Sequence, residues 1–327
     1  MRILVVGGTR FVGRHIVDSA LRRGHQVTLL HRGGGDDPFP QAEHLHADRD
    51  GDLSVLDGRE WDATVDVCAY VARQVRTLAA ALDGRGGRHV YVSSVSAYAP
   101  PSGPGATEDA PLAGLEDPTT EEVTGETYGG LKALCEQTAA EAYGQSLLVV
   151  RPTYVVGPYD PTGRFTYWVH RLARGGEVLA PGPQDSPVQV VDARDQGEWV
   201  VRLLEDGVSG TFNAVGTAPG YTFEQLLEDV AAAVAPEGTR LRWLSAEQVA
   251  AHGLHDGRSL PLWSGEDADR WISAVSNQKA LASGLAPRPV QASARDVLAH
   301  AATPLVPGTG LDADREREVL EAVSDGA

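Results

Sequence analysis

The chain has 327 residues, 42% of them hydrophobic, enough for one large α/β unit or a main unit with a smaller one grafted on. Its 45 acidic against 28 basic residues, a formal charge of −17, argue against nucleic-acid and anionic-membrane partners, because phosphate repels such a surface. Two cysteines are too few for a disulfide framework or a zinc site, and no apolar run approaches the ~18 residues of a membrane helix. With no cleavable signal pattern after Met1, the expectation is a soluble cytoplasmic protein.

In chain order, the apolar run at 3–6 ends in glycines and gives way to helical spacing over 11–21. Strand patterns follow at 26–30, 43–46 and 64–69, then a helical stretch near 71–82. A strand at 89–93, a helix over 128–143 and an apolar run at 146–150 complete the first half. Strands alternating with helices predict βαβ units and a doubly wound parallel sheet. After Arg151-Pro152 the texture changes: 157–164 is rich in Gly, Pro and Asp, and the aromatics Phe165, Tyr167 and Trp168 follow. Later strands are predicted at 188–191 and 211–214, with helices at 195–204 and 223–234.

The first strand runs into Gly7-Gly8-Thr9-Arg10-Phe11-Val12-Gly13. Glycines there let the backbone turn tightly and approach a pyrophosphate seated on the following helix N-terminus, although a plain tight turn has the same composition. The second strand ends at His31-Arg32, where an NAD site usually places a carboxylate for the ribose hydroxyls. Arg32, with Arg10 in the loop, instead suits a 2′-phosphate, so NADP(H) is favoured over NAD(H). Two solvated arginines are the bland alternative. Asp48, after the third strand, is a candidate for the adenine amino group or a surface turn residue.

Tyr128 and Lys132 stand four apart at the start of a predicted helix, which puts phenol and ammonium on one face. A cation nearby stabilises phenolate and brings proton exchange towards neutral pH. The spacing alone is common, but the chain contains only two lysines, Lys132 and Lys279. Ser94, at the end of the fifth strand, can polarise a carbonyl, whereas Ser93 and Ser96 compete as turn caps. His44, His46, His252 and His255 lack companions at metal spacing, so no metal site is expected.

The glycine loop, Ser-Ser-x-x-x-Tyr98, Tyr128-x-x-x-Lys132 and Arg151-Pro152-x-x-Val155-x-Gly157-Pro158 together resemble the short-chain dehydrogenases/reductases. The likeness runs through residues 1–300 and is to the extended and atypical branch related to nucleotide-sugar epimerases and dehydratases. It implies a Rossmann-type α/β fold, with a dinucleotide-binding domain at 1–155 and a smaller interleaved substrate-binding region at 156–302; the charged residues of 303–327, beyond the likeness, read as a tail forming a peripheral helix or partly disordered. It also implies Tyr128 as general acid/base, Lys132 on the nicotinamide ribose, Ser94 orienting the reacting group, Asp48 on adenine, and a homodimer as the common assembly.

Two departures stand out. Arg10 replaces the middle glycine of the loop, which resembles a subgroup that includes chloroplast stem-loop RNA-binding proteins and unassigned reductases. Val188 stands where nucleotide-sugar enzymes carry a diphosphate-gripping arginine, a charge-assisted contact worth about 1.5–3 kcal/mol. Arg164 is a candidate substitute, and Tyr154, Tyr159, Phe165, Tyr167 and Trp168 are candidates for a substrate pocket or for core. The leading expectation is NADP(H)-linked reduction of a carbonyl or imine of a small metabolite. Epimerase or dehydratase chemistry with retained cofactor, and non-enzymatic cofactor or RNA binding, are the alternatives.

Overall fold

The computed structural model describes residues 1–34, 38–265, 270–300 and 306–325. Its first half reads β1 (Arg2–Val6), α1 (Phe11–Arg22), β2 (Gln26–His31), β3 (Glu43–His46), β4 (Ala63–Asp66), α2 (Ala72–Leu82), β5 (Arg88–Val92), α3 (Tyr128–Tyr143) and β6 (Leu147–Pro152). The second half reads β7 (Tyr154–Val156), α4 (Arg164–Ala173), β8 (Glu177–Pro181), β9 (Val190–Asp192), α5 (Ala193–Glu205), β10 (Gly210–Ala214), α6 (Phe223–Val234) and β11 (Arg240–Leu244). Helices α7 (Ala246–Ala251), α8 (Gln278–Ala282), α9 (Val290–Ala299) and α10 (Ala313–Asp325) follow.

Seven strands form one parallel sheet in the order β10-β6-β5-β4-β1-β2-β3. The continuous apolar runs of its central strands are explained by burial on both faces: Ile3, Leu4, Val5 and Val6 are all at most 2% exposed. Helices α1 and α5 pack together against one face, and α2 with α3 against the other. Strand order reverses between β1 and β4, which opens a crevice beyond their C-terminal ends. A hollow of about 500 Å³, walled by Arg2, Thr28, Glu43 and Trp61, lies at the other strand ends, away from that crevice.

A second core gathers Phe165, Trp168, Phe223 and Leu226 between α4, α6, α9 and the two-stranded β8–β11 sheet. Chain order does not separate it from the first, because α5 and β10 return to the main sheet. The predicted strand at 64–69 ends at Asp66, since the Cys68 amide turns back onto the Asp66 carboxylate (3.1 Å).

The tail is less peripheral than its charge suggests, although 303–305 and 326–327 lie outside the described residues. Glu316, Val319 and Val323 share one face of α10 at helical spacing and are buried. Glu316 pairs with Arg171 of α4 at 2.5 Å and accepts from the Leu179 amide at 3.1 Å, so the helix is anchored through a buried charge.

Candidate active site

The glycine loop joins β1 to α1, and its glycines are required by contact rather than composition. A Cβ on Gly13 would lie 2.5 Å from the Gly7 carbonyl oxygen, and one on Gly7, at φ +87°, would lie 2.8 Å from Cys68 Sγ. Arg10, the N-cap of α1, makes no side-chain cap, and the first turn carries no acidic residue. Free amides at a positive helix end, approached through a cradle that any side chain would fill, fit a pyrophosphate.

Arg10, at the start of α1, and Arg32, just after β2, are exposed, and neither has an ion-pair partner among the described residues. Asp48 is exposed, and its Oδ1 accepts from the Asp50 amide at 3.0 Å, which caps its own turn. His31 sits beside His44 and His46, with a nitrogen of each within 4.8 Å of the others, a grouping hidden from the sequence by the separation of β2 and β3. The Gly33 amide donates to His31 Nδ1 (3.2 Å), which assigns His31 Nε2 as donor to His44 Nδ1 (2.9 Å) and His44 Nε2 as donor to the Phe39 carbonyl (2.9 Å).

A cavity of about 430 Å³ lies over the C-terminal ends of β5 and β6. Its lining brings Phe11 and Val12 of the glycine loop together with Ser94, Tyr128, Lys132, Tyr154 and Arg164. Of the three serines, Ser93 is buried with its hydroxyl bonded to Glu136, while Ser94 is half-buried and caps the following turn through Ser96 N (3.1 Å).

Lys132 is 3% exposed, and its Nζ donates to the carbonyls of Ala69 (3.0 Å) and Val92 (2.8 Å), 4.4 Å above the Tyr91 ring. Burial lowers its pKa to about 8. The sequence expectation was a phenol lowered by Lys132. Instead, burial pushes the Tyr128 phenol up, and a hydrogen bond with Ser94 and the charge of Arg164 pull it only partly back. Tyr128 is therefore protonated at neutral pH. The physical reason is the burial of the phenol, with the ammonium held on the Ala69 and Val92 carbonyls.

Other candidates fall elsewhere. Phe165, Tyr167 and Trp168 belong to the second core, and Trp168 Nε1 donates to the Pro261 carbonyl at 2.6 Å. Tyr159, at φ +70°, lies under the Arg14 guanidinium (4.0 Å from its ring) and does not line the cavity. Val188 is completely buried. Sequence reading missed Ile272 and Ser273 on the cavity wall, and the Glu136–Arg151 pair (2.6 Å) that ties α3 to β6 behind Ser93.

One signal was available. Gly129 and Gly130 sit inside α3, where each costs about 1 kcal/mol relative to alanine. They permit close approach: a Cβ on Gly129 would lie 2.2 Å from the Ser96 carbonyl oxygen, and one on Gly130 2.7 Å from that of Gly114. Gly129→Ala is thus expected to destabilise the fold by about 1–3 kcal/mol, the reverse of its effect in an open helix. Urea unfolding of the two proteins checks the sign.

Residues 3–72 and 58–215 match the model of the NAD dependent epimerase/dehydratase family. The chloroplast stem-loop binding protein of 41 kDa b from Arabidopsis thaliana is 28% identical over 221 residues, 62% of this chain and 55% of that protein. The match therefore spans little more than half of that relative, and its name leaves the expected absence of a nucleic-acid partner unsupported. Two solved structures share the fold. A human epimerase family protein with NADPH aligns at TM-score 0.65 and 22% identity, covering 91% of this chain and 99% of that one. The UDP-glucose 4-epimerase of Thermus thermophilus with NAD aligns at TM-score 0.63 and 21% identity, covering 92% and 98%. No helix among the described residues is long and apolar enough to cross a membrane.

Proposed function

The chain belongs to the NAD dependent epimerase/dehydratase family, whose members bind nicotinamide dinucleotides, and from that premise we propose an NADP(H)-dependent oxidoreductase acting on the carbonyl or imine of a small metabolite, or on the corresponding alcohol. The observation that carries the reading is convergence: the glycine loop, Ser94, Tyr128 and Lys132 meet in one cavity, with the phenol in its acid form.

When bound, the nicotinamide supplies or accepts the hydride. The chain's own residues do the rest. Gly7 to Gly13 and the open α1 N-terminus hold the pyrophosphate. Ser94 donates to the reacting oxygen, and Tyr128 delivers the proton that the developing alkoxide requires. Lys132 uses two N–H groups on Ala69 and Val92, leaving the third for the ribose hydroxyls. Arg10 and Arg32, exposed and without carboxylate partners among the described residues, favour a 2′-phosphate over a bare ribose, which supports NADPH.

Val188, buried where a diphosphate-binding arginine was sought, favours this reading over nucleotide-sugar epimerisation. The charge of −17 favours a small-molecule partner over nucleic acid, despite the name of the plant relative. Fluorescence titration is expected to show NADPH binding more tightly than NADH. Arg32→Glu is expected to weaken NADPH about tenfold or more while barely changing NADH, given about 1.5–3 kcal/mol for a charged hydrogen bond. Equal or tighter NADH binding by the unaltered protein would refute the cofactor assignment, and nucleotide-sugar turnover without net NADPH consumption would refute the reaction class.

A further inference from the structure

We propose that the substrate is an organic oxyanion, a carboxylate or a phosphate ester, whose charged group binds Arg164 while its reacting carbonyl lies against Tyr128. The inference rests on the reductase reading and adds the substrate's charge and the residue that reads it.

Charge is distributed unevenly around the cavity. The protein carries 45 acidic residues, yet no described Asp or Glu lines this space, where the charged side chains are Lys132 and Arg164. Lys132 is held by two backbone carbonyls on the cofactor side. Arg164, the first residue of α4, is therefore the cation that faces the substrate side.

Arg164 differs from the most deeply buried arginines of this fold. The fully buried arginines are Arg151 and Arg171, and each holds a glutamate, at 2.6 Å and 2.5 Å. Half-buried Arg194 and Arg288 pair with Asp192 and Asp195 at 2.7 Å and 2.6 Å, whereas half-buried Arg14, Arg85 and Arg202 are used up on a tyrosine or on backbone carbonyls and line no cavity with Tyr128. Half-buried Arg164 has no carboxylate within ion-pair distance among the described residues. Its Nε reaches Thr162 Oγ1 at 3.3 Å, and its guanidinium lies 4.9 Å from the centre of the Tyr154 ring.

Stacking of that kind fixes the plane of the guanidinium and leaves its edge for a ligand. The nearest acidic residue in sequence, Asp160, is occupied: its oxygens accept from Thr162 N (2.8 Å) and Thr162 Oγ1 (2.8 and 3.0 Å). Asp160 is near enough for its charge to interact with that of Arg164, but it makes no direct ion pair with it; a partly desolvated guanidinium with no direct carboxylate partner among the described residues is relieved by an oxyanion with two acceptor oxygens. The same charge is felt at Tyr128, so the anion and the proton donor lie within one electrostatic neighbourhood.

Three aldehydes sharing one ring test this: 4-carboxybenzaldehyde, 4-formylphenyl phosphate and the neutral methyl 4-formylbenzoate. Each is titrated calorimetrically into NADP-loaded protein and offered for turnover with NADPH. At least one of the two anions is expected to bind about tenfold tighter than the ester, the better one identifying carboxylate or phosphate. Arg164→Gln is expected to abolish that preference and Arg164→Lys to retain part of it, both with unchanged melting temperature and NADPH affinity. Equal binding of all three, binding of none, or an anion preference that survives Arg164→Gln overturns the inference. NADPH binding separates the two levels: if it fails, the reductase reading falls, whereas cofactor binding without anion preference removes only the Arg164 assignment.

Discussion

Tyr128→Phe is expected to lower kcat for NADPH-linked reduction by about 10³-fold while NADPH affinity stays unchanged. The phenol faces the cavity at the N-terminal turn of α3, and its hydroxyl makes no contact that the fold depends on. Its removal therefore takes away the proton donor and little else. Fluorescence titration for cofactor and absorbance at 340 nm for turnover separate the two quantities.

The pH profile sharpens the test. On the proposed reading, activity requires Tyr128 protonated and Lys132 charged. Burial raises the first group and lowers the second to about 8, so the ammonium is lost first as pH rises. The alkaline limb of kcat/KM, which reports the free enzyme, is expected near pH 8, with activity falling as pH rises through it. The limb belongs to Lys132, so it persists in the residual activity of Tyr128→Phe. A limb that disappears in that variant would assign it to the phenol and reverse the order of the two groups.

The second large effect is on stability. Glu136→Gln is expected to cost about 3–5 kcal/mol, because it leaves the Arg151 guanidinium buried without its counter-charge. Arg151 is 4% exposed, contacts both Glu136 oxygens, and lies 4.5 Å from the centre of the Tyr98 ring. Surface pairs such as Arg22–Asp18 warrant no comparable figure, since water and salt screen them. Urea unfolding measures the loss, and Glu136→Leu combined with Arg151→Met is expected to recover much of it by removing both charges together. A loss below about 1 kcal/mol for Glu136→Gln would show that water reaches the pair. Ser93 also bonds Glu136, so the same substitution is expected to loosen the strand end that carries Ser94.

Legibility followed the range of each interaction. The pyrophosphate cradle and the Tyr128–Lys132 face are local patterns, readable from glycine placement and four-residue spacing. Phe165 and Trp168 were open to two readings because an aromatic after a strand suits a pocket or a core equally. Their burial depends on α6 and α9, whose residues lie far along the chain. The histidine group escaped for a related reason: His44 and His46 alternate on one strand, and only the β2–β3 register brings His31 opposite His46.

By itself the sequence determined the parallel α/β architecture, the glycine turn after the first strand and the shared helix face of Tyr128 and Lys132, because periodicity, backbone freedom and helical spacing act within a few residues. Tertiary structure alone decided how that pair is tuned. Lys132 donates to carbonyls 63 and 40 residues away, which holds its ammonium on the backbone rather than on the Tyr128 phenol. It also decided that Arg164 faces the cavity with no carboxylate at ion-pair distance among the described residues, while the fully buried Arg151 and Arg171 each have one. Burial and counter-ion placement are properties of packing between distant segments, and no local pattern encodes them.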